Sequence, residues 1–203
     1  MNINWIWYLG LGYLLGSIPF ALVIGKLFYK TDVRNYGSGN LGGTNAGRVL
    51  GKKAGISVIV CDVLKVVVAV GIVSCFDQNA SIWAGFAAAF GHCYPIFAGF
   101  RGGKAVATMF GFLLSTSIFT FQNAWYFFIP LIGFLIVLYI SKMVSLSSMV
   151  AAFVSSVFIT YMQIHNGIEI IIASWLLTIL VVYRHRGNII KIKNGTENKV
   201  SWL

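Results

Sequence analysis

The sequence predicts an all-α, polytopic membrane protein of about seven transmembrane helices, with the N-terminus outside and the C-terminus cytoplasmic. Three observations carry this. The chain is 58% hydrophobic and 10% charged, with a mean hydropathy of +0.83, whereas about a quarter of the residues of a soluble domain carry charge. Its apolar residues gather into seven long windows, and its cations collect between alternate windows. Residues 1–203 are expected to form one integral membrane domain.

The windows run over 5–25, 54–76, 80–100, 105–121, 124–140, 144–163 and 168–183. At roughly 1.5 Å per helical residue, segments of about 16 to 23 residues cover most or all of a hydrocarbon core about 30 Å thick. Isolated strands are excluded because their backbone groups would stay unpaired in lipid. The first window has no Lys or Arg before it and no small-residue cleavage site before Lys26, so it is expected to remain in the mature protein.

Orientation follows from the cations. Lys26, Lys30, Arg34, Arg48, Lys52 and Lys53 flank or fill the first connection, Arg101 and Lys104 the third, Lys142 the fifth, and Arg184, Arg186, Lys191, Lys193 and Lys199 the tail. The positive-inside rule makes that side cytoplasmic, and an odd number of spans satisfies it. Lys65 is the exception, inside the second window and three residues after Asp62. A lone charge at the bilayer centre costs about 2.5 to 3.5 kcal/mol, and the i, i+3 spacing lets the two pair on one helix face. The pair reads as a neutralised structural bridge or as support for a polar site nearer the inner surface.

A net charge of +10 held between apolar windows suits a membrane surface and small anionic substrates, not nucleic acid. Cys61, Cys75 and Cys93 lie in or at the ends of apolar windows with no CxxC spacing. They read as packing residues, so neither a metal nor a cofactor is expected.

Three polar segments carry the chemistry. Residues 37–51, GSGNLGGTNAGRVLG, hold six glycines where average usage gives about one. Ser38, Gly39, Asn40, Thr44 and Asn45 supply backbone or side-chain donors for an anion, and Arg48 a fork that grips phosphate in two places. GSGNLG also satisfies GxGxxG, but a dinucleotide site needs a buried strand before it, and here a membrane helix precedes.

Residues 91–108, GHCYPIFAGFRGGKAVAT, set a glycine pair against two cations. Gly102 and Gly103 are expected to offer N–H groups, Lys104 a point charge and the next helix a partial positive charge to a phosphate. The bland alternative is a pair of snorkelling cations at a helical hairpin. A Walker A loop is excluded, because Ala98 and Ala105 stand where that motif needs Gly and Ser or Thr. His92 alone reads as a packing histidine or a substrate ligand. The tail, from Arg184 to Val200, adds His185, Asn188 and Glu197 among its cations.

With these three segments facing one compartment, the sequence resembles the acyl-phosphate-dependent glycerol-3-phosphate acyltransferases of bacterial membranes. Their three cytoplasmic motifs are matched by GSGNLGGTNAGR, GHCYPIFAGFRGGKAVAT and HRGNIIKIKNGTENK, and the resemblance spans the whole chain. It departs at Gly43 and Arg101, where Ala and Lys are commoner.

The resemblance implies transfer of a fatty acyl group from acyl phosphate to the sn-1 hydroxyl of glycerol 3-phosphate. The products would be lysophosphatidic acid and phosphate, made at the cytoplasmic face of a bacterial inner membrane. It implies catalytic roles for Ser38, Arg48, Lys104, His185 and Asn188. It places Gly39, Asn40, Thr44, Asn45, His92, Gly102, Gly103 and Glu197 against substrate. Partners would be the two substrates and membrane lipid. Which phosphate Arg48 and Lys104 each bind is left open, as is whether His185 accepts the proton or positions substrate. A transporter of organic phosphates is the rival reading, and one-sided motifs without an internal repeat count against it.

Overall fold

The computed structural model describes residues 4–200 and is all-helical, with no strand among the described residues. The outer ends of the predicted domain and basic tail, residues 1–3 and 201–203, lie outside them. The chain packs as two compact units, Met1–Ser115 and Thr116–Leu203.

The first unit holds α1 (Asn4–Gly16), α2 (Phe20–Tyr29), α3 (Gly43–Leu50), α4 (Lys52–Ser74), α5 (Gln78–Cys93) and α6 (Val106–Ser115). α1 lies against α5 at backbone contact distance, since a Cβ on Gly12 or Gly16 would strike the Ala84 or Ala88 backbone. Lipid offers little hydrophobic drive between helices, so small residues that let backbones approach replace it. Trp5 ties the start of α1 to the start of α5 by donating Nε1–H to Asp77 Oδ2 at 2.9 Å, while Asp77 Oδ1 caps α5 through the Ala80 N–H. The first apolar window is broken at Ser17–Pro19, because proline lacks an N–H and disfavours helix at the residue before it.

The second unit begins with a π-helical turn (Thr116–Thr120), followed by α7 (Trp125–Ser141), α8 (Val144–Gln163), α9 (Ile168–Arg184) and α10 (Arg186–Lys193). α8 and α9 are tied by buried hydroxyls: Ser156 and Thr178 lie 2.7 Å apart, and Thr178 donates to the Ala152 carbonyl at 2.8 Å. α9 and α10 meet at a 57° bend. The tail returns to the α7–α8 connection, where the Val200 N–H bonds the Lys142 carbonyl at 2.8 Å.

The surface pattern is that of a protein solvated by lipid. Ile56, Leu64, Val68 and Ile72 of α4 and Ile132, Leu135, Ile136 and Ile140 of α7 are exposed, while Ser115, Ser147, Ser148, Ser155 and Ser156 are buried. Of these, Ser115, Ser147, Ser148 and Ser155 return their hydroxyls to helix carbonyls, as Ser115 does to Gly111 at 2.7 Å. Helix occupies each of the seven apolar windows. The segments Asn4–Tyr29, Lys52–Ser74 and Val144–Gln163 are each long and apolar enough to cross a membrane, and the bent α9–α10 pair is a fourth if counted as one span.

The first connection differs from the sequence expectation of a loop. Residues 43–50 form α3, which packs on α4 so closely that a Cβ on Gly55 would meet the Gly47 Cα at 2.7 Å. Part of the glycine excess therefore serves helix packing.

Candidate active site

The predicted residues divide between the units, and each set is built on its own. In the first unit the chain leaves α2 and enters a 3-10 turn, Val33–Asn35, capped by Asp32. Asp32 Oδ1 accepts from the Arg34 backbone N–H at 3.0 Å and from Nε at 2.9 Å, and Oδ2 accepts from Nη2 at 2.6 Å. These Arg34 hydrogen bonds hold the Asp32 carboxyl down from 3.8 to about 2.

Gly37 and Gly39 then turn the chain with φ of 60° and 67°. Between them Ser38 donates its N–H (2.8 Å) and Oγ–H (3.2 Å) to Asn45 Oδ1. Asn45 Nδ2 in turn donates to the Val33 and Tyr36 carbonyls at 3.0 and 3.3 Å, and the residue is 2% exposed. This corrects the expectation that Asn45 donates to substrate: its amide is committed to the turn, and it positions Ser38 instead. Gly37 completes the fit, since a Cβ there would fall on Asn45 Oδ1. Thr44 and Arg48 sit one turn apart on α3 with both side chains exposed, so α3 displays a hydroxyl and a guanidinium beside the exposed Ser38 and Gly39. The Asn40 Oδ1 is buried with no protein hydrogen-bond partner.

The second motif departs more. Gly102 N–H donates to the Cys93 carbonyl at 3.2 Å and Gly103 N–H to the His92 carbonyl at 3.0 Å. The expected phosphate cradle of Gly102 and Gly103 amides is therefore overturned, because those donors satisfy the C-terminal carbonyls of α5 that have no intrahelical partner. Lys104, half-buried, follows directly, and Ala105 takes a positive φ of 61° before α6 begins. His92 is 5% exposed and faces inward: its Nδ1 lies 3.0 Å from Lys65 Nζ and 3.4 Å from Asp62 Oδ1. A substrate ligand would need to face a cavity, so His92 is reassigned to the interior. Asp62 and Lys65 make their expected bridge at 2.7 Å.

In the second unit His185 occupies the α9–α10 bend, 3% exposed, with Nδ1 at 2.8 Å from the Val181 carbonyl. A carbonyl only accepts, so Nδ1 carries the proton and Nε2 is the acceptor of the neutral ring. Asn188, in the first turn of α10, donates Nδ2–H to Glu197 Oε1 at 2.7 Å, and Ser145 Oγ–H donates to the same oxygen at 2.6 Å. Glu197 thus orients Asn188. As a carboxylate it would also repel an anionic substrate, so the structure favours a positioning role over direct substrate contact.

Sequence reading missed Ser145 and Asp32, whose partners are a distant tail residue and a short-range cap. It also missed the link from His92 to Lys65. A group of at least three His, Cys, Asp or Glu side chains placed for a metal is absent among the described residues. In the first unit, two exposed or half-buried cations, Arg48 and Lys104, each beside a glycine turn, suit phosphate-bearing substrates.

Comparison with known proteins covers both units. The family model described as Glycerol-3-phosphate acyltransferase matches residues 6–195. A glycerol-3-phosphate acyltransferase of Listeria welshimeri is 47% identical over 207 residues, covering 100% of each chain. One from Geobacillus kaustophilus is 49% identical over 194 residues, covering 95% of this chain and 94% of the relative. The crystal structure of PlsY (YgiH), an integral membrane glycerol 3-phosphate acyltransferase, in its glycerol 3-phosphate form superposes with a TM-score of 0.88 at 34% identity, covering 98% and 96% of the two chains. Its lysophosphatidic acid form gives 0.85 at 33% identity with the same coverage.

Proposed function

Since the chain belongs to the glycerol-3-phosphate acyltransferase family, we propose that it moves a fatty acyl group from acyl phosphate to the sn-1 hydroxyl of glycerol 3-phosphate, releasing phosphate and lysophosphatidic acid. The observation that carries the donor assignment is the pairing of a cation with each glycine turn, Arg48 after Gly37–Gly43 and Lys104 after Gly102–Gly103. Two phosphates need two such cations, and the short connections leave little room for an adenine nucleotide.

An acyl phosphate is already activated, so the protein's task is alignment and charge neutralisation. The glycerol hydroxyl oxygen bonds to the acyl carbon, the carbon–oxygen bond to phosphate breaks, and phosphate leaves with the electron pair. Lys104 neutralises one phosphate, and Arg48 with Ser38 the other or the developing oxyanion. The hydroxyl proton passes to His185 Nε2 or to a substrate phosphate oxygen. Asn188, held by Glu197, contacts the substrates from the third motif. Gly39 and Asn40 from the first turn and Thr44 from the start of α3 line the substrate there.

The whole chain acts as one multi-pass domain of a bacterial inner membrane, with seven spans, the N-terminus outside and the three motifs on the cytoplasmic side. Cysteine introduced at Ser38 is expected to resist an impermeant reagent applied to intact cells, and labelling from outside would reverse this topology. The donor is tested by turnover of purified protein with glycerol 3-phosphate and either palmitoyl phosphate or palmitoyl-coenzyme A. Comparable rates with the coenzyme A ester would overturn the acyl-phosphate assignment and leave the acyltransferase standing.

A further inference from the structure

Three ionisable side chains meet inside the first unit, outside the polar turns. Asp62 and Lys65 stand one turn apart on α4, and His92 ends α5; they are 1%, 5% and 5% exposed. Lys65 Nζ is ion-paired with Asp62 Oδ1 at 2.7 Å, donates to the Ile18 carbonyl at 2.9 Å and lies 3.0 Å from His92 Nδ1. The Phe20 ring faces the same ammonium at 5.8 Å. Ile18 lies in the break between α1 and α2, where Pro19 interrupts the helix.

The opposite edge of the imidazole reaches the second motif. A Cβ on Gly103 would fall on the His92 ring, nearest its Nε2, and the His92 carbonyl takes the Gly103 N–H. The ring is thus held between Lys65 and the backbone that carries Lys104.

Charge and hydrogen-bond counting fix its state. One carboxylate and one ammonium already balance, and protonating the ring would add an excess positive charge to this apolar interior. The histidine is therefore neutral. Nδ1 lies nearer the Lys65 ammonium, which only donates, at 3.0 Å than Asp62 Oδ1 at 3.4 Å, so it accepts, and the ring proton sits on Nε2, facing the Gly103 turn.

We infer that Asp62, Lys65 and His92 form a positioning network for the transferase reaction, which locks His92 as its Nε2–H tautomer and through it sets the turn that presents Lys104 to a substrate phosphate. The network rests on the role proposed for Lys104. None of its three members touches substrate. The glycines of the motif supply the space for the ring.

Full-length protein in lipid nanodiscs, labelled with 15N-histidine, tests the tautomer by NMR, with the His92 signal assigned by its loss in His92→Gln. The expected state is neutral with the proton on Nε2, and a proton on Nδ1 or on both nitrogens overturns the inference. Function is tested with Asp62→Asn/Lys65→Met, which removes both charges together so that neither is left alone in the bilayer.

That variant is expected to accumulate and unfold like the parent while its kcat/KM falls about tenfold. In a Lys104→Ala background the same pair should cost less than a further twofold, because the network acts through Lys104. Parental kinetics, or losses that multiply with Lys104→Ala, overturn the network alone. Near-normal turnover by Lys104→Ala itself overturns the phosphate role of Lys104 and the network with it. If the double variant fails to accumulate, the tautomer measured in the parent protein decides.

Discussion

His92 closes α5 in the first unit and His185 closes α9 in the second, each almost fully buried with its Nδ1 hydrogen-bonded. The partners differ. His92 faces a lysine ammonium, which can only donate, and His185 faces the Val181 carbonyl, which can only accept. On the inferred tautomer the first ring has its proton at Nε2, whereas the second, donating from Nδ1, has its acceptor there. One residue type at two helix ends is set up as a donor or an acceptor according to what meets its other nitrogen.

Breaking the second ring should have the largest effect. His185→Ala is expected to lower kcat by about 100-fold, the lower end of what a positioned proton acceptor contributes, while the protein still inserts and accumulates. A loss under threefold in a steady-state assay would remove His185 from the chemistry and reduce the comparison to packing.

The glycines next to each histidine sharpen the contrast. Gly103→Ala drives a methyl into the His92 ring and should reduce kcat/KM more than tenfold. Gly187, two residues after His185, lies in α10, and a Cβ there would project into open space. Gly187→Ala should keep activity within about twofold, and the helix propensity gain of about 1 kcal/mol should raise the unfolding midpoint by about 2–4 °C.

Around the second histidine, Glu197→Ala strands the Asn188 amide and the Ser145 hydroxyl. At about 1–2 kcal/mol for the lost alignment, activity should drop roughly tenfold. Glu197→Gln keeps an oxygen that both donors can share and should lose less than threefold; equal losses in the two variants would show that charge, not hydrogen bonding, is what Glu197 contributes.

The smallest effect belongs to an exposed pair. Asp32 has its folded value lowered to about 2 from 3.8, so whatever the Arg34 bridge contributes is complete above about pH 4 and is lost as pH falls through about 2. Solvent screening keeps it small. Asp32→Asn should lower the unfolding midpoint at pH 7 by no more than about 2 °C, a shift read by thermal denaturation, and the gap to the parent should close at pH 2.

The all-helical membrane character was legible in the sequence, because apolar windows are a local property of the chain. The pairing of Asp62 with Lys65 was legible for the same reason, being one turn apart. The Nδ1 bond of His185 reaches only to residue 181 and follows from helix geometry. The partner of His92 is 27 residues away, and no periodicity reports it. Glycines mislead most: the string around 37–51 mixes turn residues (Gly37, Gly39) with residues that let α3 touch α4 (Gly43, Gly47), and composition does not separate the two uses. For Gly102 and Gly103 the expected direction of the N–H groups was wrong, since facing inward or outward is decided by the end of α5.

The Asp62–Lys65 bridge has a consequence for how the chain is made. Its two charges belong to one helix, so α4 carries its own counterion as it leaves the ribosome and enters the bilayer, before His92 exists. Beyond Lys52 and Lys53 at its start, the two charges of α4 cancel. Ile18, already synthesised, is the next acceptor available, and His92 arrives last. Lys65 thus acquires its partners in the order of translation, and at no stage does α4 have to enter lipid with a bare ammonium.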